Sequence, residues 1–125
     1  MAEQGYKKQT GDRGEGAAAD YLVKNGYRIL VRNWHCKGGE LDIVATKGDV
    51  IAFVEVKTRQ PDALVSPLAA VNYQKQRRVI RSAMAYLSCH SFDLQPRFDV
   101  AAVTVEDSNY TVEYWEAAFD ASANW

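Results

Sequence analysis

The sequence predicts an α/β protein in which two helices flank one mixed five-stranded sheet, in the order αβββαββ. Apolar residues recur at helical spacing in two segments and at strand spacing in five others. Three consecutive strands with short connections pair antiparallel, whereas a long second helix crosses over the sheet and can make the next strand parallel to its neighbour. The predicted helices cover residues 12–25 and 66–88, and the strands cover residues 27–33, 40–45, 50–57, 97–105 and 110–115.

Length and composition indicate one ordinary globular domain. The chain has 125 residues, of which 47% are hydrophobic and 25% charged. We expect a loose polar arm at residues 1–10, one domain at residues 11–119 and a fraying tail at residues 120–125. No apolar run of transmembrane length and no signal-peptide pattern occurs, so we expect no membrane partner.

Two cysteines do not make a disulfide framework, so we expect a reducing, cytoplasmic location. His35-Cys36 and Cys89-His90 supply the residue types of a zinc site. Adjacent Cys-His pairs lack the usual C-x₂₋₄-C spacing, however, and this argues against zinc.

Charge is unevenly distributed although the formal net charge is only −1. Residues 98–125 contain six acids and no Lys or Arg. A polyanionic partner responds to such an uneven field more than to the total charge. The segment from residue 75 to residue 81 carries no acid and four cations, which are Lys75, Arg77, Arg78 and Arg81.

The first helix is predicted from its caps and its buried stripe. Asp12 is a candidate N-cap, and Gly26 suits the position just past the helix end. Glu15 lies one turn before the stripe and on the same side of the helix. By itself, this position favours an acid that stabilises the N-terminal end of the helix dipole. The stripe consists of Ala18, Ala19 and Leu22.

The most informative stretch is a predicted β-hairpin formed by the second and third strands. Gly48-Asp49 suits a two-residue type II′ turn, which fixes the register of the strands. In that register Asp42 lies opposite Glu55, and Glu40 lies opposite Lys57. These four side chains share one face at the open end of the hairpin. The other face is apolar and carries Leu41, Ile43, Val54 and Val56.

Two carboxylates held opposite each other destabilise a sheet, and they tend to raise a pKa or to bind a cation. A hard divalent ion such as Mg²⁺ takes oxygen ligands of this kind. Lys57 points to the same face, where its ammonium can hold a phosphate or a water molecule. The alternative is an ordinary solvated face on which Glu40 and Lys57 form a cross-strand pair.

The second helix is predicted to begin at Ser66-Pro67, which supplies a cap and a first-turn proline. Residues 60–66 before it form a loop that can close over a substrate. The absence of acids beside the helix cations favours phosphate contact over a simple solvated face. Arg59 continues the alternation of the third strand, and Lys37 lies near the predicted site. The expected core stripe consists of Ile80, Ala83, Met84 and Leu87.

The fourth strand brings a further acid into an apolar segment. Asp99 is flanked by apolar residues from Phe98 to Val103, and Arg97 precedes it by two positions. Residues two apart on a strand share a face, so Arg97 and Asp99 can pair. We interpret Asp99 as structural.

Several motifs together resemble the small bacterial YraN-type family. They are GDRGEGAAADYLVKNGYRILVRNW, GGELDIVA, FVEVKTR, a lysine-bearing central helix, RFDVAAV and a closing AAF, and they extend over residues 11–119. Asp, twelve residues, then Glu-Val-Lys on a strand also resembles the PD-(D/E)XK nuclease pattern. The fold of the family is similar to that of archaeal Holliday-junction resolvases. This resemblance implies a restriction-endonuclease-like core.

The resemblance also implies a function. A metal-dependent endonuclease of this kind is expected to act on DNA, including branched or structured DNA, and the analogy with resolvases implies a homodimer. Asp42 and Glu55 would bind Mg²⁺ or Mn²⁺, Glu15 would complete the site, and Lys57 would assist the attacking water. Lys75 matches a lysine of the family pattern. The nucleic-acid-binding set would then be Lys75, Arg77, Arg78, Arg81, Arg59 and Lys37. The alternative is a nucleic-acid-binding module of the same fold without useful catalysis.

Overall fold

The computed structural model confirms the predicted order αβββαββ and the mixed five-stranded sheet. It describes residues 2–62 and 71–121, with side chains from residue 13 onward. The strands lie in the order β1-β2-β3-β4-β5; β3 and β4 pair in parallel, and the other neighbours pair antiparallel. The elements are α1 (Ala2–Lys24), β1 (Arg28–Cys36), β2 (Gly39–Lys47), β3 (Val50–Arg59), α2 (Tyr73–Ser88), β4 (Gln95–Glu106) and β5 (Asn109–Phe119).

Helix α1 begins at Ala2, ten residues before the predicted start at Asp12. The segment expected to be a loose arm is therefore helical backbone. Its sequence is rich in Ala, Glu, Gln and Lys, which are good helix formers, and each residue added to an existing helix gains one hydrogen bond. No helix among the described residues is long and apolar enough to cross a membrane.

Helix α2 begins at Tyr73, seven residues after the predicted start. The predicted cap and proline at residues 66–67, most of the loop at 60–66 and the tail at 122–125 lie outside the described residues. Asn72 is extended and acts as the N-cap, because its Oδ1 accepts the backbone N–H of Lys75 at 2.9 Å. Predicted core residue Met84 is 55% exposed, since the buried stripe of α2 turns toward Val79 and Tyr86 instead.

The core is divided by the sheet into two layers. On one face, Ala18 and Leu22 of α1 pack against Ile43 and Val54. On the other face, Ile80 and Ala83 of α2 pack with a second set of strand residues, which includes Val44, Phe53 and Phe98. The stripe predicted for α1 is confirmed, because Ala18, Ala19 and Leu22 are all buried.

Two irregularities change which face some side chains occupy. The register shifts between Ile29 and Val31, so Val31 packs on the α2 face while Tyr27 and Ile29 stay on the α1 face. Leu41 also packs on the α2 face, and Ile43 two residues later packs on the α1 face. The strict alternation predicted for both strands was therefore wrong at these positions, since an irregular residue moves its neighbours to the other side.

A buried polar cluster joins β4 to β5 on the α1 face. Asp99 is fully buried and accepts from Arg97 Nη2 at 2.8 Å, Tyr114 Oη at 2.5 Å and the Ala117 backbone N–H at 2.9 Å. The Arg97 guanidinium also donates to the hydroxyl of Tyr27. The predicted Arg97–Asp99 pair is thus confirmed. It lies where the register between β4 and β5 shifts, between Phe98 and Val100.

Candidate active site

The hairpin of β2 and β3 opens at its far end, and this opening creates the site. Its turn is confirmed: Gly48 has φ of 59°, and the ladder runs from Lys47–Val50 to Ile43–Val54. Beyond that pair the strands no longer follow the ladder. The Asp42 carboxylate instead accepts the backbone N–H of Val56 at 2.9 Å. Asp42 thereby takes up a backbone donor and turns toward β3.

The carboxyl groups of Asp42 and Glu55 interact electrostatically, since the charge of Asp42 adds to burial in raising the pKa of Glu55. Glu55 is only 4% exposed, because it continues the buried alternation of Phe53 on the α2 face. Burial, reinforced by the charge of Asp42, raises the pKa of Glu55 to about 7. Burial likewise raises the pKa of Asp42, although the Val56 N–H and Lys75 oppose this rise. The pair therefore favours a proton or a cation between its oxygens.

Two ammonium groups converge on one oxygen of this pair. Lys75 Nζ lies 3.3 Å from Glu55 Oε1, and Lys57 Nζ lies 3.8 Å from the same atom. Lys57 comes from the strand of Glu55 itself, whereas Lys75 comes from the first turn of α2, where the Asn72 cap sets its backbone. The central parallel strand and α2 together thus bring two carboxylates and two cations to one place.

Glu15 lies apart from this group. It is 8% exposed, and its Oε1 lies 3.7 Å from Arg32 Nε of β1. It belongs to α1, which covers the opposite face of the sheet from α2. Among the described residues, no three His, Cys, Asp or Glu side chains are grouped so that they could share a metal ion. The structure brings Asp42 and Glu55 together and does not add Glu15 to them.

The predicted pairing of Glu40 with Lys57 was wrong. Glu40 lies opposite His35 across β1 and β2, and its Oε2 lies 3.4 Å from His35 Nδ1. The ladder between β2 and β3 ends at Ile43, so it does not extend to Glu40.

The histidines of the two His-Cys pairs have other partners: His35 lies beside Glu40, and His90 hydrogen-bonds to the carbonyl of Tyr86 at 2.8 Å. The two His-Cys pairs thus form no metal cluster within the described part of the chain.

The predicted phosphate-binding cations fall into three groups. Lys75 lies beside Glu55 in the site described above. Arg59 is bound within the sheet, since its guanidinium donates to Thr104 Oγ1 at 3.1 Å and pairs with Glu113 at 3.5 Å. Arg59 thus continues the alternation of Glu55 and Lys57 as predicted, but its side chain binds residues of β4 and β5 and not the carboxylate site. The exposed group keeps its charges available to a partner and comprises Lys37, Arg77, Arg78 and Arg81.

The sequence interpretation missed how the β1–β2 turn is joined to α2. A Cβ on Gly39 would overlap Ser82 Oγ, so a larger residue at this position requires the Ser82 hydroxyl to turn away. A pocket of about 220 Å³ forms beside this contact. Gly38-Gly39 was a visible signal of close approach, but its partner on α2 is 43 residues away (82 − 39) and is brought near by the fold alone. The residues lining the pocket are His35, Gly38, Gly39, Glu40, Lys75, Arg78 and Val79.

The fold and the site define an α/β protein with two neighbouring carboxylates, one of them buried, and two lysines beside them. They lie where the central strand β3 leaves its antiparallel ladder with β2. Residues 14–103 match the model of "Uncharacterised protein family UPF0102". The chain belongs to this family, which confirms the YraN-type resemblance.

Relatives in several bacteria match almost the whole chain. A UPF0102 protein of Trichlorobacter lovleyi is 50% identical over 113 residues, which are 88% of this chain and 89% of the relative. A UPF0102 protein of Phocaeicola vulgatus is 45% identical over 119 residues, which are 95% and 96% of the two chains. The UPF0102 protein of Parabacteroides distasonis is 43% identical over 111 residues, covering 89% and 92%.

Proposed function

We propose that this protein is a metal-dependent endonuclease that hydrolyses phosphodiester bonds in DNA, with a preference for branched or otherwise structured DNA. The observation that carries the proposal is the carboxylate pair of half-buried Asp42 and buried Glu55, with Lys57 and Lys75 at 3.8 and 3.3 Å from Glu55 Oε1. The arrangement matches the PD-(D/E)XK pattern in residue types and in order along the chain.

The donor chemistry of the pair fits Mg²⁺ or Mn²⁺. Asp42 and Glu55 would hold the ion, because both offer carboxylate oxygens and because burial, which raises the pKa of each, makes a cation between them favourable. Such an ion, when bound, polarises a phosphoryl oxygen and makes a bound water more acidic. Glu15 supports the site indirectly in this proposal, since it neutralises Arg32 on β1.

The lysines have separate tasks in the proposed reaction. Lys57 neutralises the negative charge that develops on the phosphate and orients the attacking water. Lys75 approaches the pair from α2 and holds the phosphate from the other side. The exposed cations Arg77, Arg78 and Arg81 contact the DNA backbone and set its position. Such contacts carry little sequence information, so the enzyme selects substrates by their shape.

One observation favours the second candidate function, a nucleic-acid-binding module of the same fold. Lys57 and Lys75 both lie near one Glu55 oxygen, so they compensate the carboxylate pair without any metal. In such a module, replacing Asp42 and Glu55 together leaves DNA affinity unchanged. In the nuclease, metal-supported affinity falls with the same double substitution.

The deciding experiment measures cleavage of labelled single-stranded, duplex, flap and four-way-junction DNA with Mg²⁺ or Mn²⁺. Wild type is compared with Glu55→Ala, Lys57→Ala and the matched control Arg28→Ala, which removes an exposed charge at the far end of β1. Metal-dependent cutting that both site variants lose and the control keeps supports the nuclease. Cutting that survives in both site variants refutes the assignment of the site. No cutting on any substrate, with salt-sensitive binding intact, favours the binding module.

A further inference from the structure

The pocket between the β1–β2 turn and α2, lined by the seven residues named above, is called here the turn pocket. Lys75 belongs both to it and to the carboxylate site, because its Nζ lies 3.3 Å from Glu55 Oε1 and its side chain also lines the turn pocket. Arg78 follows one helical turn later and lines the same space. The turn pocket is thus directly adjacent to the site along the first turns of α2.

Charge makes this pocket suitable for an anion. Of its lining residues, Glu40 carries the one negative charge, and His35 faces that carboxylate at 3.4 Å. Lys75 and Arg78 supply two positive charges to the pocket; Lys75 is shared with Glu55 at 3.3 Å, whereas exposed Arg78 is the charge that the pocket offers to an anion. Arg78 presents a planar fork of N–H donors, which matches phosphate oxygens.

Size and shape restrict the anion to something small. The volume of about 220 Å³ corresponds to roughly seven water molecules, at about 30 Å³ each. This accommodates a phosphate group and does not accommodate a base pair. Gly38 has φ of 91°, and open space surrounds the position of its absent Cβ. The turn therefore leaves its backbone accessible while the Gly39–Ser82 contact fixes it against α2.

We propose that the turn pocket binds a second phosphate of the same nucleic-acid strand, next to the phosphate held at the carboxylate pair. The inference rests on the proposed function, because it takes the carboxylate pair as the position of the first phosphate. Lys75 lies between the two phosphates and contacts both. Arg78 and His35 are binding residues for the second phosphate and take no part in the chemical step.

The test begins with binding in EDTA, so that it does not depend on cleavage. Amide resonances of Gly38 and Gly39 are followed by NMR during titration with inorganic phosphate and, separately, with a single-stranded oligonucleotide. Both ligands are expected to shift these resonances, and Arg78→Ala weakens oligonucleotide binding about tenfold. The slope of log affinity against log salt becomes shallower by about 1 in that variant, as expected for one lost phosphate contact.

Arg28→Ala is the matched control, because it removes the same charge far from the pocket and is expected to retain the resonance shifts. The proposal is overturned if the Gly38 and Gly39 resonances do not shift. It is also overturned if Arg78→Ala and Arg28→Ala weaken oligonucleotide binding equally. A response to inorganic phosphate without one to the oligonucleotide also overturns it, since the pocket then takes a free anion.

A cleavage measurement separates this inference from the proposed function. His35→Ala and Arg78→Ala are expected to raise KM several-fold with kcat nearly unchanged, because uniform binding is lost. Resonance shifts without any cleavage support the phosphate pocket and refute the nuclease. Cleavage by a protein whose Gly38 and Gly39 resonances do not shift refutes phosphate binding in the turn pocket and supports the nuclease.

Discussion

Replacement of Glu55 by Gln is expected to stabilise the protein above neutral pH. The pKa of Glu55 is raised from 4.5 to about 7, first by burial and then by Asp42. At about 1.4 kcal/mol per pKa unit, an ionised Glu55 costs the native state about 3 kcal/mol. The side chain is only 4% exposed, so solvent does not screen this cost. A neutral amide of the same shape removes the cost.

Proton binding determines how the stability of the wild type changes with pH. Between pH 4.5 and about 7 the native protein keeps the Glu55 proton and the unfolded chain does not, so the stability of the wild type falls as the pH rises through this range. Glu55→Gln lacks this titration. The variant is therefore expected to match the wild type at pH 5 and to exceed it by about 2–3 kcal/mol at pH 8.

Urea denaturation at pH 5 and pH 8 measures this difference in the free energy of unfolding. The two proteins differ only at residue 55, so the difference between them reports on Glu55. Glu106→Gln is the control, since Glu106 is exposed in the β4–β5 turn and its replacement should change neither value. If Glu55→Gln is no more stable than the wild type at pH 8, Glu55 is not a strained buried carboxylate and the reasoning fails.

Four further results are expected. Mn²⁺ at pH 8 raises the Tm of the wild type but not that of Asp42→Asn, because the metal needs both carboxylates; equal shifts in the two proteins place the ion elsewhere. Asp99→Ala lowers the free energy of unfolding by about 3–5 kcal/mol, since Arg97, the Tyr114 hydroxyl and the Ala117 N–H all lose their buried acceptor. Gly39→Ala costs about 1–3 kcal/mol through overlap with Ser82, and Ser82→Ala added to it recovers part of the loss; no recovery contradicts the contact. Asn72→Ala costs about 1 kcal/mol because α2 loses its N-cap, and an unchanged urea midpoint would contradict that role.

Local sequence patterns predicted most of the fold because they depend on neighbours along the chain. The Gly48-Asp49 turn set the register of β2 and β3 as far as Ile43–Val54. Helical spacing identified Ala18 and Leu22 as core. Predictions failed where a single irregular residue moves its neighbours to the other face, as at Val31 and Leu41. The start of α2 was also misplaced, since a proline gave a stronger local signal than the cap that forms.

The sequence by itself determined the family, the element order and the residue types of the site, because these are written in motifs and spacing. Only the tertiary structure decided how the site is assembled. Lys75 meets Glu55 because α2 packs across the β2–β3 face, twenty residues along the chain (75 − 55). The packing of α1 on the other face places Glu15 beside Arg32, and the pairing of β3, β4 and β5 brings Arg59 to Glu113. Contacts between residues far apart along the chain determine these pairs, and no local sequence pattern predicts such contacts.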